Sequence, residues 1–279
     1  MAKIIDGKLH AANVRAAVAA NVAQATKKPA LAVVLVGDDP ASLVYINMKK
    51  NACAEVGISF SLHNLPGSAT QAEVLAQIDT LNADANIHGI IVQQPLPAHL
   101  DKHVVVSRIA PMKDVDYLHP HNVGLMLTGQ GKLMPCTPAG VIKLLHGEGI
   151  NAAGKHAVVV GRSDIVGKPL AFMLLNENAT VTICHSRTSD LAAMTRQADI
   201  LIAALGRARF ITADMVKPGA VVIDVGVNRL TNKKICGDVD YTPVAAIASY
   251  ITPVPGGVGP MTVATLMENC FTAMKWQHA

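Results

Sequence analysis

The sequence predicts an α/β protein of two domains, and three features of the chain indicate this fold class. The chain has 279 residues, enough for one large or two medium domains. Hydrophobic residues make up 51% of it but aromatic residues 3%, so its core is aliphatic. Such a core is typical of helices packed over a parallel sheet. Short apolar runs also alternate with helical patterns, as in a series of βα units.

The first half of the chain contains two predicted buried strands. Residues 30–36 form a continuous apolar run, and Pro40 after it opens a helix that is expected to reach about Val56. Residues 71–81 are predicted to be helical and residues 89–92 to be the second strand. Polar residues follow both strands, at the carboxyl ends where open α/β sheets bind ligands.

The segment Pro-Cys-Thr-Pro at 135–138 marks the start of a second βαβ set. Thr137 is expected to cap a helix that has Pro138 at its first position and runs to about Gly147. The elements expected after it are strands at 156–160, 180–184, 200–203 and 221–225, and helices at 167–176 and 191–198.

These elements predict two domains with a boundary near Cys136. The chain is expected to return to the first domain after Ile251. We therefore expect an N-terminal α/β domain of residues 1–136 completed by 253–279, a second domain of residues 137–252, and a cleft between them.

Composition argues against several classes of function. The net charge is +4 and basic residues are spread along the chain, so neither nucleic-acid nor membrane binding is expected. Five widely spaced cysteines without a C-x-x-C pair predict neither a disulfide framework nor a zinc site, and they favour a reducing cytoplasm. The eleven histidines show no metal-ligand spacing, so no metal site is expected. We see no signal-peptide layout at the N-terminus.

A glycine-containing turn at 161–167 indicates a nucleotide site. It follows a predicted strand and precedes a helix, and Gly161 permits the tight turn. Gly167 permits close approach at the helix start, where free N–H groups attract phosphate. Ser163 stands where the usual G-x-G-x-x-G pattern has its second glycine, so the spacing alone is equally compatible with a structural turn.

The end of the next strand favours a Rossmann-like domain that binds NADP rather than NAD. An acidic residue there would bind a ribose 2′-hydroxyl, whereas this chain has Ser186 and Arg187, which suit a 2′-phosphate. Arg162 is a candidate second cation. The alternative is that Arg187 is a solvated surface charge.

Candidate substrate-side residues lie in the first half. Tyr45 and Lys49 are four residues apart on a predicted helix and share a face. Beside a cationic substrate, Lys49 would give up its proton more readily and serve as a general acid or base. Gln93 is suited to orient an amine, and an aspartate of the segment Lys-Asp-Val-Asp at 113–116 is suited to bind a planar amino-heterocycle. By spacing alone, a surface lysine and ordinary turn or capping residues remain the alternatives.

Near the C-terminus, residues 251–262 combine three prolines with three glycines. Proline fixes φ and glycine adopts angles closed to other residues, so this run predicts a rigid loop with backbone exposed to a ligand. An ordinary turn before a last helix is the alternative.

Together these segments resemble the bifunctional methylenetetrahydrofolate dehydrogenase/methenyltetrahydrofolate cyclohydrolase family over essentially the whole chain. The resemblance rests on Val-Gly-Asp-Asp-Pro-Ala-Ser at 36–42, Tyr45-x-x-x-Lys49, Val-Gln-Gln-Pro-Leu-Pro at 92–97, Lys-Asp-Val-Asp at 113–116, Pro-Cys-Thr-Pro at 135–138, Gly-Arg-Ser at 161–163 with Gly167, and Pro-Val-Pro-Gly-Gly-Val-Gly-Pro-Met-Thr at 253–262.

The resemblance implies a cytoplasmic homodimer of one-carbon metabolism that serves purine biosynthesis. It implies NADP-dependent oxidation of 5,10-methylenetetrahydrofolate, followed by hydrolysis of the methenyl cation to 10-formyltetrahydrofolate. Lys49 would be the acid/base, Gln93 would orient it, Tyr45 would stack on the aminobenzoyl ring and Asp116 would hold the pterin amino edge. The folate substrate would contact Tyr45, Lys49, Val92, Gln93, Gln94, Asp116, Pro255, Gly256, Gly257, Val258, Gly259, Pro260, Met261, Thr262 and Val263. NADP would contact Gly161, Arg162, Ser163, Ser186 and Val227, in addition to Arg187.

Two positions depart from the family pattern. Tyr117 stands where the family usually has glycine, and Leu125 where it commonly has arginine. A bulky residue at 117 is expected to shift Asp116 or narrow the pterin pocket. The rival interpretations are a dehydrogenase without the hydrolytic step, which the presence of Lys49 and Gln93 opposes, and a non-enzymatic NADP sensor, which would not bind a folate analogue.

Overall fold

The computed structural model describes residues 1–231 and 234–278 and divides into two compact units. The large-sheet unit comprises Met1–Ala11 and Thr137–Thr262, and the small-sheet unit comprises Ala12–Cys136 and Val263–Ala279. Each unit has a parallel sheet and helices, which confirms the α/β prediction. Within the described residues, no helix is both long and apolar enough to cross a membrane.

The strands are short and most follow one another through helices. In chain order they are β1 Lys3–Ile4, β2 Ala30–Val36, β3 Ser59–Leu65, β4 Gly89–Val92, β5 His156–Val160, β6 Thr180–Cys184, β7 Ile200–Ala203, β8 Val221–Asp224, β9 Asn228–Arg229, β10 Ile235–Cys236 and β11 Tyr250–Ile251.

The helices include two long ones, near either end of the chain. In chain order they are α1 Gly7–Gln24, α2 Pro40–Val56, α3 Gln71–Ala83, α4 Lys102–Arg108, α5 Pro120–Leu127, α6 Cys136–Gly147, α7 Gly167–Asn176, α8 Leu191–Thr195, α9 Tyr241–Ile247 and α10 Val258–Gln277.

In the small-sheet unit, three parallel strands lie in the order β3-β2-β4. The central strand β2 is buried, and aliphatic side chains of α3 and α4 complete its core. This order places the carboxyl ends of β2 and β4 side by side, with Val34 opposite Val92. Residues that follow these two strands therefore meet at one edge.

In the large-sheet unit, six parallel strands lie in the order β1-β11-β8-β7-β5-β6, and β9 and β10 form a separate antiparallel pair. The first βαβ set, β5-α7-β6, thus lies at one end of the sheet, while β7 and β8 lie on the other side of β5. Its core consists of aliphatic side chains from β5, β7, β8 and the segments around them.

The predicted bounds of β2, α2, β4, β5, α7, β6 and β7 are confirmed. Helix α8 is shorter than predicted, because the N–H groups of Gln197 and Ala198 bond three residues back in tight turns. Strand β8 ends one residue early, at Asp224, whose carboxylate accepts the N–H of Gly226 and so begins a turn. Helix α3 extends two residues further, to Ala83.

The expected cap at Thr137 is wrong. Helix α6 begins at Cys136, so Thr137 lies inside its first turn. Its hydroxyl instead lies 2.9 Å from the hydroxyl of Thr262. This partner lies 125 residues away, so local sequence does not reveal the contact.

Candidate active site

Lys49 and Gln93, which lie on different elements, are in contact in the small-sheet unit. The ammonium of Lys49 donates a 2.9 Å hydrogen bond to Oε1 of Gln93, 44 residues away in sequence. Gln93 is 8% exposed, and its amide N–H donates to the carbonyl of Gln94 at 2.7 Å. The carboxamide is thus held with its oxygen toward Lys49.

Local structure explains why these two side chains meet. Helix α2 starts directly after β2, because Pro40 takes its first position and the Asp39 carboxylate caps the N–H of Ser42 at 2.8 Å. Gln93 continues β4, and its own N–H bonds to the carbonyl of Val34 in β2 at 2.9 Å. The positions of Lys49 and Gln93 are therefore both set by the central strand β2.

The neighbours of this pair differ in accessibility. Tyr45 lies one turn before Lys49 on α2 and is 45% exposed, so its ring is open to a planar ligand. Val92 is buried as the last residue of β4, whereas Gln94 is half-buried and precedes a cis proline. Tyr45, Lys49 and Gln94 thus present reachable groups, while Val92 supports them from the core.

Asp116 is the accessible member of the Lys-Asp-Val-Asp segment. The Lys113 ammonium is buried and donates to the carbonyls of Leu81, Asn82 and Asp84 at 2.7–3.0 Å. Asp114 is buried as well; its carboxylate accepts two backbone N–H groups and the Asn122 amide, and burial raises its pKa.

The position of Asp116 follows from the segment's path. Asp114 forms an isolated parallel bridge with Ile90 of β4, and the Tyr117 N–H donates to the Asp114 carbonyl at 3.3 Å, so Asp116 lies in the turn that directly follows this bridge. Its side chain is half-buried. Because Lys113 and Asp114 are buried and hydrogen-bonded within the fold, Asp116 is the charged residue of this segment that a ligand can reach.

Two residues that sequence reasoning did not assign hold this segment in place. The Asn269 amide donates to the carbonyls of Val115 and Met134 at 2.9 and 2.8 Å, and the Cys136 thiol donates to Val115 at 3.4 Å. Burial raises the pKa of the Cys136 thiol well above its ordinary value; the charge of Asp116 adds to this and the charge of Lys49 opposes it. Lys49, Asp116 and Cys136 are therefore close enough to interact. The Pro-Cys-Thr-Pro segment signals Cys136, whereas no pattern signals Asn269.

Tyr117 adopts a backbone conformation that favours glycine. Its φ is +62°, in the left-handed region. The side chain is 1% exposed and its hydroxyl has no hydrogen-bond partner among the described residues. That oxygen lies 2.5 Å from where a Cβ on Gly131 would stand, so the ring fills the interior beneath Gly131. The bulk of Tyr117 is thus turned into the core.

The glycine turn of the large-sheet unit has the close backbone approach expected of a phosphate site. Gly161 has φ of +138°, and a Cβ there would overlap the carbonyl of Ala204. A Cβ on Gly167 would overlap the carbonyl of Gly161. The Ser163 hydroxyl accepts from the N–H groups of Val166 and Gly167 at 3.2 and 3.3 Å, so this serine satisfies the first N–H group of α7.

The predicted cations and the serine of this site are exposed. Arg162 lies in the turn after β5, and Ser186 and Arg187 lie in the turn after β6. The two turns are neighbours, since the Gly161 N–H donates to the carbonyl of Cys184 at 2.9 Å. Val227 is 51% exposed and follows β8, two strands away from β5.

The proline- and glycine-rich run is a loop in its first half and helical in its second. Helix α10 begins at Val258, so the predicted loop ends at Gly257, because residues 258–262 continue in helical conformation and proline is tolerated in a first turn. Gly256 has φ of +110°, and a Cβ on Gly7 would overlap the carbonyl of Gly257. Pro255 and Gly259 are exposed, Pro260, Thr262 and Val263 half-buried, and Gly256, Gly257, Val258 and Met261 buried. The four buried residues therefore contribute to the conformation of this segment rather than to its exposed surface.

The described residues hold no group of three His, Cys, Asp or Glu side chains arranged to bind a metal ion.

Comparison with known proteins identifies the family of both halves of the chain. Residues 5–116 match the family model for the tetrahydrofolate dehydrogenase/cyclohydrolase catalytic domain, and residues 135–278 match that for its NAD(P)-binding domain. The bifunctional protein FolD of Geobacillus thermodenitrificans is 56% identical over 277 residues, which cover 98% of each chain.

Solved structures agree as well. FolD methylenetetrahydrofolate dehydrogenase/cyclohydrolase from Campylobacter jejuni is 48% identical with a TM-score of 0.96, covering 99% of both chains. The FolD of Trypanosoma brucei, solved with NADP cofactor and inhibitor, is 37% identical with a TM-score of 0.94, covering 99% of this chain and 98% of that one. The chain therefore belongs to the tetrahydrofolate dehydrogenase/cyclohydrolase family.

Proposed function

We propose that this protein oxidises 5,10-methylenetetrahydrofolate with NADP and hydrolyses the methenyl product to 10-formyltetrahydrofolate. The observation that carries the proposal is the 2.9 Å hydrogen bond from Lys49 to a buried, oriented Gln93. Such a lysine is positioned by its partner, and its side chain is only half-buried, so a substrate can reach it.

In the hydrolytic step, Lys49 moves protons. Water adds to the methenyl carbon, and the neutral amine of Lys49 takes the proton that this water loses. The resulting hydroxyl adduct collapses when its O–H proton is removed and N5 is protonated, which breaks the bond from carbon to N5 and leaves the formyl group on N10. Gln93 Oε1 accepts one N–H of Lys49 and so directs the nitrogen lone pair away from itself.

Other residues of the small-sheet unit bind the substrate. We assign Asp116 to the amino edge of the pterin, because a carboxylate accepts paired N–H donors. The exposed ring of Tyr45 stacks on the aminobenzoyl ring. Lys49 and Gln93 then face the one-carbon unit, with Val92 and Gln94 beside them.

The glycine turn fits NADP. The space that a Cβ would fill at Gly161 and Gly167 is taken by backbone, and the positive end of the α7 helix dipole suits a pyrophosphate. Arg162, Ser186 and Arg187 hold the 2′-phosphate. NADP, when bound, accepts the hydride from the methylene carbon. The remaining cofactor and substrate contacts are assigned to Ser163, Val227 and residues 255–263.

The test of this proposal uses Lys49→Met, with Lys50→Met as the matched control on the same helix. Lys50 is exposed, so its loss should leave both activities intact. Lys49→Met should slow methenyltetrahydrofolate hydrolysis by about 100-fold or more, the usual contribution of a positioned acid or base. Hydrolysis is followed by absorbance after direct addition of methenyltetrahydrofolate, and circular dichroism checks the fold. Hydrolysis at the wild-type rate would refute the role of Lys49.

Three further assignments form part of the proposal. The folate domain comprises residues 1–136 with 253–279 and the NADP domain residues 137–252. The protein is a homodimer, for which light scattering at the dimer mass is the test. It acts in the cytoplasm, in one-carbon metabolism that feeds purine biosynthesis, and a purine requirement in a deletion strain would support this.

A further inference from the structure

The buried carboxylate of Asp238 gathers four hydrogen bonds from two separate loops. It is 0% exposed. Its Oδ2 accepts the N–H groups of Leu205 and Gly206 at 2.6 and 2.9 Å. Its Oδ1 accepts the N–H of Arg207 and the side-chain amide of Asn228, both at 2.8 Å. One side chain therefore ties the loop after β7, residues 204–210, to residues 225–229, the loop after β8 together with the two-residue strand β9.

A second buried carboxylate supports the first. Asp224 accepts the backbone N–H groups of Gly226, Asp238 and Val239, each at 2.9 Å. Burial raises the pKa of Asp224 to about 6, and the charge of Asp238 adds to the rise. The chain thus keeps two acidic groups together in its interior, at an electrostatic cost that a merely space-filling pair would not incur.

Two glycines make room for the pair. A Cβ on Gly226 would overlap the Asp238 carboxyl group, and one on Gly237 would overlap the Asp224 carboxylate. The loop after β7 is bound further by the Arg209 N–H, which donates to the carbonyl of Gly237 at 3.1 Å. The shape of both loops therefore depends on these carboxylates.

The strand order places these two loops where the nicotinamide end of a bound dinucleotide is expected. The glycine turn follows β5, and the candidate 2′-phosphate residues follow β6 on one side of it. Strands β7 and β8 lie on the other side of β5, and their carboxyl ends carry the two loops and the exposed Val227. A dinucleotide with its pyrophosphate over the β5 turn and its adenosine over β6 extends its nicotinamide toward β7 and β8.

We propose that Asp238, itself held by Asp224, is a positioning residue of the dehydrogenase step, which keeps loops 204–210 and 225–229 in the shape that receives the nicotinamide half of NADP. The inference rests on the proposed NADP site and adds a function for residues that touch neither substrate nor cofactor.

The test compares Asp238→Asn with wild type. Each carboxylate oxygen accepts two donors, at least one of which is a backbone N–H, so the NH₂ group of asparagine faces at least one backbone N–H that it cannot accept in either orientation. The KM for NADP should rise about tenfold or more, since a lost bond to a charged group is worth at least that factor. The inhibition constant of adenosine 2′,5′-bisphosphate, which has no nicotinamide, should stay within about twofold, and methenyltetrahydrofolate hydrolysis should keep its rate.

A matched control is Asp199→Asn. Asp199 also binds a backbone N–H, that of His156 at 3.0 Å, but precedes β7 at the opposite edge of the sheet. Its substitution should leave the KM for NADP within about twofold. Asn228→Ala removes one of the four bonds and keeps the buried charge, so it provides the test if Asp238→Asn does not fold; its KM should rise by about threefold.

The possible results distinguish failure of the positioning role of Asp238 from failure of the proposed cofactor site. An unchanged KM for NADP in Asp238→Asn, or in Asn228→Ala where that variant is used, would overturn the positioning role, as would equal weakening of NADP and adenosine 2′,5′-bisphosphate. If the wild-type protein itself neither reduces NADP nor binds the bisphosphate, the proposed cofactor site is wrong and the inference falls with it.

Discussion

His88 is buried at the amino end of β4, with a partner on each ring nitrogen. Its Nδ1 accepts the backbone N–H of Ala30 at 3.1 Å, so the neutral ring carries its proton on Nε2. That nitrogen lies 3.2 Å from Nε2 of His278, which must then be the acceptor. A second proton on His88 would place an N–H against the N–H of Ala30, so the native structure of the small-sheet unit favours the neutral ring.

Acid should therefore destabilise this unit, and the size follows from the pKa of His88. Burial lowers this pKa from 6.5 to about 4; the charges of His278, Lys27 and Lys113 add to the effect and that of Asp84 opposes it. Since the unfolded chain binds the proton first, this stability is fully present above pH 6.5 and is lost as the pH falls toward 4. The full loss is about 3 kcal/mol, and about 2 kcal/mol is lost by pH 5.

Native-state hydrogen exchange of the Ala30 amide and its neighbours in β2 and β4 measures this loss within one unit. The matched variant is His88→Asn, whose Oδ1 can accept the Ala30 N–H but does not titrate. Between pH 7 and pH 5 the wild-type opening free energy should fall by about 2 kcal/mol more than that of the variant. Equal pH dependence in the two proteins would refute the reasoning.

Two further predictions concern single side chains. Tyr117→Phe should stabilise the small-sheet unit by about 1 kcal/mol, because it removes a buried hydroxyl without a partner among the described residues; exchange at Met126 is the readout, and destabilisation would show that the hydroxyl is satisfied. Arg187→Ala should raise the KM for NADP by about tenfold and leave that for NAD nearly unchanged, because the guanidinium is assigned to the 2′-phosphate. Equal loss with both cofactors, measured in initial-rate assays, would contradict that assignment.

Several elements were predictable because their sequence signals are local. Strands β2 and β4 are continuous apolar runs, as expected of strands covered on both faces. Helix α2 carries its own start signals in Asp39 and Pro40. Strand β3 escaped prediction because it is an edge strand with alternating polar residues, and its place was decided by pairing with β2.

The sequence by itself determined the α/β class, the glycine turn and the set of residues able to carry the chemistry. It did not decide which member of Lys-Asp-Val-Asp is free to bind a ligand; buried hydrogen bonds commit Lys113 and Asp114 to structure and leave Asp116 accessible. Nor did it indicate that Asp238 unites two loops. Only tertiary structure decides such matters, because hydrogen bonds between distant residues depend on strand order and register, which a local pattern does not contain.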